Sequence, residues 1–300
     1  MEDNDVVITS AFRTAIGSFN GTLSSKTAPE LGSTVIKKCV ENSELKQEEV
    51  DMVYMGQVLT TGAGQNPARQ SSILAGLSNN TTNTTINQVC GSGLASVALA
   101  YNSIKSGDGK VILAGGQESM SNSPHYINIR KGIKMGDGNL KDSMIIDGLW
   151  DVYNQYHMGI TAENVAEKYQ ITREEQDNFA AASQRKAGEA IKGNKFVNEI
   201  VPVKVKVRKE EVEFKQDEYP KADSTVEKLA KLRPAFKKDG TVTAGNASGV
   251  NDGAAALCLM TGEMAKKKDV EPLAKIVSWA QCGVDPSIMG TGPIPASKLA

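Results

Sequence analysis

The sequence predicts a layered α/β fold. Three observations carry this prediction: a short apolar strand at residues 6–9, a helical apolar spacing that begins just after Cys90, and a second apolar strand at 111–114 that Gly115 and Gly116 close. Strands that alternate with helices of this length are typical of layered α/β architectures.

The elements before and around these segments follow the same alternation. A buried strand at 6–9 is followed by a turn-rich run to Gly21. A helix from Pro29 through residue 40 and a strand at 53–59 come next. Asn66 then caps a helix with Pro67 at its first position, and a short strand follows at 85–87. A helix with apolar residues at 94, 97, 98, 101 and 104 ends near Gly107, and the strand at 111–114 follows it.

The pattern changes after residue 118. Residues 119–148 are rich in Gly, Asn, Asp, Ser and Lys without a clear period, which predicts an insertion. Thr172 and Glu175 predict a capping box for a helix that carries Phe179 on its apolar face and ends at Gly193. Strands are predicted at 203–207 and 253–260, and residues 275–280 echo residues 6–11, either by chance or as the first strand of a second copy of the opening domain.

The composition indicates an ordinary globular protein. The 300 residues are 40% hydrophobic and 23% charged, and the net charge is −1, which argues against a nucleic-acid or anionic-membrane partner. The N-terminal residues lack an apolar stretch of the signal-peptide type, so we expect a cytoplasmic protein. Four separated cysteines and two histidines predict neither a disulfide framework nor a metal site.

Cys90 is the candidate nucleophile. It lies in a predicted strand-to-helix turn, where free backbone N–H groups and the positive end of the helix dipole favour the thiolate. Gly91 and Gly93 leave room for a substrate carbonyl, and the Cys90 N–H could donate to the oxyanion formed on attack. The surroundings of Cys39, Cys258 and Cys282 lack this glycine frame, so these three are expected to be core residues.

The run Asn87-x-x-Cys90-x-Ser92-Gly93 resembles the nucleophile signature of the thiolases. Further segments along the whole chain are similar to the same family: residues 62–70, 115–120, 157–164, 232–236, 243–249 and 289–296. The subgroup that the chain resembles is the short-chain acetyl-CoA acetyltransferases.

The resemblance implies that Cys90 accepts an acetyl group from acetyl-CoA, and that a second acetyl-CoA then attacks to give acetoacetyl-CoA and CoA. Thiolysis is the reverse reaction. No cofactor is implied, because the CoA thioester is the substrate. Residues at positions that line the family's acyl and CoA pockets are Leu149, His157, Met158, Lys221, Ala244 and Ser248. Met158 resembles the residue that limits pocket length, whereas Lys221 replaces an arginine of many relatives, which puts its contact in doubt.

The resemblance also implies a thiolase-like αβαβα organisation. Residues 1–118 and 249–270 would form the N-terminal domain, residues 119–248 a loop domain with CoA-binding and tetramerisation elements, and residues 271–300 the start of a C-terminal domain. A homo-oligomer, a dimer of dimers, is expected for the full-length form.

Three further family motifs do not occur in these 300 residues: Gly-His-Pro, Asn-Glu-Ala-Phe and Cys-x-Gly-x-Gly. They carry the histidine, the asparagine and the second cysteine that complete the reaction. His125 and His157 match loop-domain positions and do not replace them. We therefore expect the sequence to be C-terminally truncated and the 300-residue chain alone to be inactive in full turnover.

Other functions remain open from the sequence. A β-ketoacyl synthase-like condensing enzyme would have the same fold but lacks the 119–248 insertion. A non-catalytic interaction subunit would not need the intact glycine frame around Cys90. Cys90 could also act as a redox sensor in addition, because accessible thiolates oxidise readily.

Overall fold

The structure, a computed structural model, describes residues 2–300 and forms two compact units. The first unit comprises the residues up to Met144 together with Asn198–Glu218 and Asn251–Val277, and the second comprises Ile145–Val197, Tyr219–Val250 and Ser278–Ala300. The domain boundaries expected from the sequence stay a prediction. The compact units place residues 119–144 in the first unit.

The strands, in chain order, are β1 (Val6–Thr14), β2 (Gly17–Ser18), β3 (Met52–Gly56), β4 (Thr82–Ile86), β5 (Val111–Ser119), β6 (His125–Tyr126), β7 (Lys141–Asp142), β8 (Trp150–Asp151), β9 (Tyr156–His157), β10 (Ile200–Val201), β11 (Val203–Val207), β12 (Glu210–Phe214), β13 (Asn251–Thr261) and β14 (Ala274–Lys275). The α-helices are α1 (Ala28–Asn42), α2 (Pro67–Leu74), α3 (Ser92–Ser106), α4 (Met158–Lys168), α5 (Arg173–Lys192), α6 (Val226–Leu229), α7 (Gly262–Lys267) and α8 (Pro293–Leu299).

A mixed sheet organises the first unit and confirms the predicted α/β class. Its main strand order is β10-β1-β13-β5-β3-β4, and β14 and β2 pair with β1 and β13. Strands β5, β3 and β4 run parallel, so the carboxyl ends of β3 and β4 lie at the same edge of the sheet. The turn that contains Cys90 follows β4 directly and therefore starts from that edge.

Side chains alternate between the two faces of this sheet. On one face Val7, Leu113 and Met260 pack with α1 and α2, and this face contains the larger buried cluster. On the other face Val6, Ile112 and Leu259 pack with Ala100 and Ile104 of α3. Burial of apolar residues on both faces is the pattern of a sheet that helices cover on each side.

The helix starts follow the predicted local chemistry. Pro29 lies in the first turn of α1, and Thr27 and Glu30 form a capping box there. Asn66 caps α2, with Pro67 as its first residue. Thr172 and Glu175 form the predicted capping box of α5. These interactions satisfy the free N–H groups of each first helical turn.

Two expectations of burial were wrong. The Phe179 side chain is 78% exposed on α5, whose buried position is Asp177. Cys282 is exposed, unlike Cys39 and Cys258, which are buried as expected. In the segment that echoes residues 6–11, strand structure is present at Ala274–Lys275, which pairs antiparallel with β1. An apolar residue alone therefore does not determine burial in this chain.

Candidate active site

Cys90 lies in the short turn between β4 and α3, and its side chain is exposed. We call residues 87–92 the Cys90 turn. Helix α3 begins at Ser92, and its N-cap residue Gly91 has no side chain that could occupy the free N–H groups. The predicted strand, turn and helix are thus present, and the thiol is open to a reagent at the positive end of the helix dipole.

The residue before Cys90 has a strained backbone. Val89 has φ +46°, in the left-handed region that β-branched residues rarely adopt. Its N–H donates to Asn87 Oδ1 at 2.9 Å, and its carbonyl accepts from the Ser92 hydroxyl at 2.6 Å. The Ser92 hydroxyl also accepts from the Gln88 N–H at 2.8 Å. These side-chain hydrogen bonds hold the turn in a conformation that its own residues disfavour.

Glycine at position 56 allows α3 to approach the end of β3. A Cβ atom at Gly56 would lie 2.6 Å from the Ser92 carbonyl carbon and 2.8 Å from the Gly93 nitrogen. At Gly93 a Cβ would meet no atom within 4 Å, so this residue faces open space beside Cys90. The start of the helix is therefore fixed by the close backbone packing against Gly56.

The second unit contains a cavity of about 340 Å³. Two of the predicted binding residues, Lys221 and Ala244, line it. The other lining residues are Gln184, Tyr219, Asp223, Ser224, Lys228, Leu229, Leu232 and Gly245. The cavity combines aliphatic walls with two ammonium groups and one carboxylate, Asp223, so its net positive charge suits an anionic ligand with an apolar part.

A buried network fixes the walls of this cavity. Asp177 accepts from Arg173 Nε at 2.7 Å and from Asn246 Nδ2 at 2.9 Å. Arg173 also donates to the carbonyls of Leu229 and Leu232, and Asn246 Oδ1 accepts from the Thr243 N–H. Since Asp177 is buried and paired with a cation, this interaction anchors α6 and the 243–246 segment to α5.

The remaining predicted binding residues lie elsewhere in the second unit. Leu149 ends a π-helical turn (Met144–Leu149) and is half-buried, and Ser248 is exposed in an irregular segment. Met158 is the first residue of α4, directly after His157. These four residues do not line the cavity that Lys221 and Ala244 share, so a single ligand would have to be long to reach both groups.

His157 acts as the N-cap of α4. Its Nδ1 accepts from the Gly159 N–H at 3.0 Å, and its ring stacks on Phe236 with centroids 4.7 Å apart. Gly159 is required for this packing, because a Cβ there would lie 2.2 Å from the Phe236 ring. The acceptor role requires a neutral imidazole, and burial lowers the His157 pKa below its ordinary value of 6.5.

This cap predicts a pH-dependent stability. Because the folded-state pKa of His157 is lowered, its stabilising contribution is complete above pH of about 6.5 and decreases as the pH falls towards the folded-state value. Between pH 7 and pH 5, the wild type should lose more unfolding free energy than His157→Asn, which keeps a capping acceptor that does not titrate. Urea unfolding at both pH values measures the difference. Equal losses in both proteins would contradict the capping role.

Two residues that line the cavity, Tyr219 and Lys228, were not predicted from the sequence. Lys228 pairs with Asp223 at 2.8 Å beside Lys221. A search for a second ammonium within one or two helical turns of Lys221 could have found Lys228.

Within residues 2–300, no group of three or more His, Cys, Asp or Glu side chains is arranged to hold a metal ion. The described part of the chain also has no helix long and apolar enough to cross a membrane.

The family model of the thiolase N-terminal domain matches residues 6–263. This match covers most of the chain, and together with the Cys90 turn it places the protein in the thiolase family of acyltransferases.

Individual relatives are more specific. The chain is 57% identical over 300 residues to an acetyl-CoA acetyltransferase of Rhizobium meliloti, covering 100% of this chain and 76% of the relative. It is 57% identical over 298 residues to the enzyme of that name from Cupriavidus necator, covering 99% and 76%. The crystal structure of the Bacillus anthracis acetyl-CoA acetyltransferase superposes with a TM-score of 0.96 at 44% identity, covering 98% of this chain and 75% of that one.

Proposed function

We propose that this protein is an acetyl-CoA C-acetyltransferase that works through an acyl-cysteine at Cys90. The observation that carries the proposal is the exposed Cys90 thiol at the start of α3, in a chain that matches enzymes of this name over its whole length. The reaction is the condensation of two acetyl-CoA to acetoacetyl-CoA and CoA, and thiolysis is its reverse.

In the first step, Cys90 Sγ attacks the thioester carbonyl carbon of acetyl-CoA. The C–S bond to CoA then breaks, the CoA sulfur leaves with the electron pair and takes a proton, and the acetyl group remains on Cys90. One thioester is exchanged for another, so the step is nearly balanced in energy. The exposure of Cys90 supports this assignment because the carbonyl needs room to reach the sulfur.

In the second step, another acetyl-CoA loses an α-proton and its carbanion attacks the acetyl carbon on Cys90. The new C–C bond forms, the bond to Sγ breaks, and acetoacetyl-CoA leaves. We assign the acylation to residues of this chain and leave the proton abstraction unassigned, since none of the three further motifs occurs in the 300 residues. For the same reason we expect acylation without full turnover from this chain.

For CoA itself we propose the cavity of the second unit and the segments that flank it. Lys221 and Lys228 provide positive charge for phosphate groups, and Tyr219 provides an aromatic surface. Leu149, Ala244 and Ser248 would lie along the pantetheine chain, and His157 and Met158 would contact the acyl and pantetheine part of the substrate. The homo-oligomeric state and the cytoplasmic location belong to the same proposal.

The proposal is tested by incubating the 300-residue chain with acetyl-CoA and locating the adduct by peptide mass spectrometry. We expect one acetyl group on Cys90, release of CoA, and no adduct on the other exposed thiol, Cys282. Acetylated acyl carrier protein serves as the comparison donor. Faster acylation from that donor would favour a synthase-like enzyme, and the absence of any adduct on Cys90 would favour a non-catalytic role.

A further inference from the structure

The mechanism above makes no use of Glu118, a largely buried carboxylate near the end of β5. Its Oε2 accepts from the Val58 N–H at 2.9 Å, and its Oε1 accepts from the Leu59 N–H at 3.2 Å. Burial raises the pKa of the Glu118 carboxyl, and the nearby Asp252 carboxylate adds to the increase. Within residues 2–300 no ion pair of Glu118 is present to offset the desolvation.

The two N–H groups that donate to Glu118 belong to the loop of residues 57–59, which follows β3. The Gln57 N–H donates to the Ile86 carbonyl at 3.0 Å, so this loop lies beside the end of β4. The Val58 carbonyl accepts from Asn87 Nδ2 at 3.4 Å. The peptide group between Val58 and Leu59 therefore has Glu118 on its N–H and Asn87 on its carbonyl.

Asn87 connects the loop to the Cys90 turn. Its other side-chain atom, Oδ1, accepts from the N–H of Val89, the residue with φ +46°. The complete connection runs from the Glu118 carboxylate through one peptide group and the Asn87 amide to the strained residue before Cys90. Hydrogen bonds in such a chain polarise and strengthen one another.

A second set of buried amides fixes the same loop from the side of β5. Gln117 Nε2 donates to Gln57 Oε1 at 3.0 Å, and Gln57 Nε2 donates to the Leu59 carbonyl at 2.9 Å. Gln117 Oε1 in turn accepts from the Ser71 hydroxyl. These contacts are neutral amide hydrogen bonds, whereas a carboxylate that accepts from two consecutive N–H groups provides charge-assisted hydrogen bonds to the loop.

We propose that Glu118 is a positioning residue for Cys90, and that it acts through the 57–59 loop and Asn87 to hold the turn that presents the thiol. This role deepens the proposed function, since an acyl-accepting cysteine requires a fixed geometry. Glutamine at position 118 keeps the size of the side chain but turns an acceptor oxygen into a donor. One of the two loop N–H groups would then face an N–H₂ group, and the loop would have to shift.

The test measures alkylation of Cys90 by iodoacetamide in a Cys282→Ser background, together with acetylation by acetyl-CoA. Glu118→Gln should slow alkylation on the order of 10-fold, within the range of up to about 10²-fold that a misplaced reacting group costs. The maximal acetylation rate should fall similarly, and the half-saturating acetyl-CoA concentration should stay within about 2-fold. In a double-mutant cycle, Glu118→Gln and Asn87→Ala should have non-additive effects on the alkylation rate.

Asp51→Asn is the matched control. Asp51 Oδ2 also accepts from two consecutive backbone N–H groups, those of Lys110 and Val111, but at the opposite ends of β3 and β5. This variant should leave both Cys90 rates unchanged. If Glu118→Gln does not fold, Glu118→Asp keeps the charge while its shorter side chain reaches only one of the two N–H groups, and a slower Cys90 rate is again expected.

Wild-type alkylation rates in folded Glu118 variants would overturn the proposal, as would equal slowing by Asp51→Asn or additive effects with Asn87→Ala. The alkylation arm does not depend on acetyl-CoA. If the wild type were not acetylated at all, the proposed function would fail while the alkylation comparison would still decide the role of Glu118.

Discussion

Replacing Cys90 with serine is expected to reduce acetyl transfer from acetyl-CoA to the protein by about 10³-fold or more. A serine hydroxyl at this position is not ionised at neutral pH and has no base among the residues of the Cys90 turn. Loss of a covalent nucleophile costs as much as about 10⁶-fold in enzymes that depend on one. The measurement is the rate of acetyl incorporation from labelled acetyl-CoA, followed on the intact protein.

The same substitution should leave the fold intact. Cys90 is exposed and its side chain contributes nothing to either buried cluster, so the unfolding free energy should change by less than about 0.5 kcal/mol. Cys282→Ser removes the other exposed thiol and should keep the wild-type rate of acetylation. Acetyl transfer that persists in Cys90→Ser, or that disappears in Cys282→Ser, would show that the reactive thiol is not Cys90.

Gly56→Ala should affect stability and reactivity together. The added Cβ would meet main-chain atoms of Ser92 and Gly93 at 2.6–2.8 Å, so either β3 or the start of α3 has to move. We expect a loss of about 2–3 kcal/mol in unfolding free energy from overpacking. Displacement of Cys90 with the helix should slow acetylation by about 10²-fold. Denaturant unfolding and acetylation kinetics measure the two effects on the same sample.

Gly93→Ala provides the steric comparison. Its Cβ would enter open space, and alanine is favoured over glycine within a helix, so this variant should be as stable as the wild type or up to about 1 kcal/mol more stable. If Gly56→Ala were as stable as the wild type, β3 and α3 would be able to move apart without a loss of unfolding free energy. The acetylation rate of Gly56→Ala should then also equal that of the wild type.

Features determined by short-range chemistry were predictable from the sequence. The first turn of α1 with Pro29, the Asn66 cap of α2 and the Thr172–Glu175 capping box each involve residues within one helical turn. Gly107 ends α3 with φ +83°, as its position suggested. The location of Cys90 between a strand and a helix followed from the same local signals, because the apolar period changes on either side of it.

Features that depend on distant residues could not be predicted in this way. Glu118 and the 57–59 loop are about sixty positions apart in the sequence. No sequence pattern in either segment indicates that the two are in contact. The left-handed backbone of Val89 contradicts the preference of a β-branched residue and results from hydrogen bonds to Asn87 and Ser92. The exposure of Phe179 reflects a helix whose buried position is a charged aspartate, Asp177.

Because the four thiols differ in accessibility, their reaction with a thiol reagent can be used to follow unfolding of this protein. Cys39 and Cys258 are fully buried between α1 and the sheet, and burial raises the pKa of Cys39 to about 12 and that of Cys258 above its ordinary value. A thiol reagent should consume Cys90 and Cys282 in the native state and reach the other two when the layers separate. The slow phase of thiol consumption would then report how often the central sheet loses its helical cover.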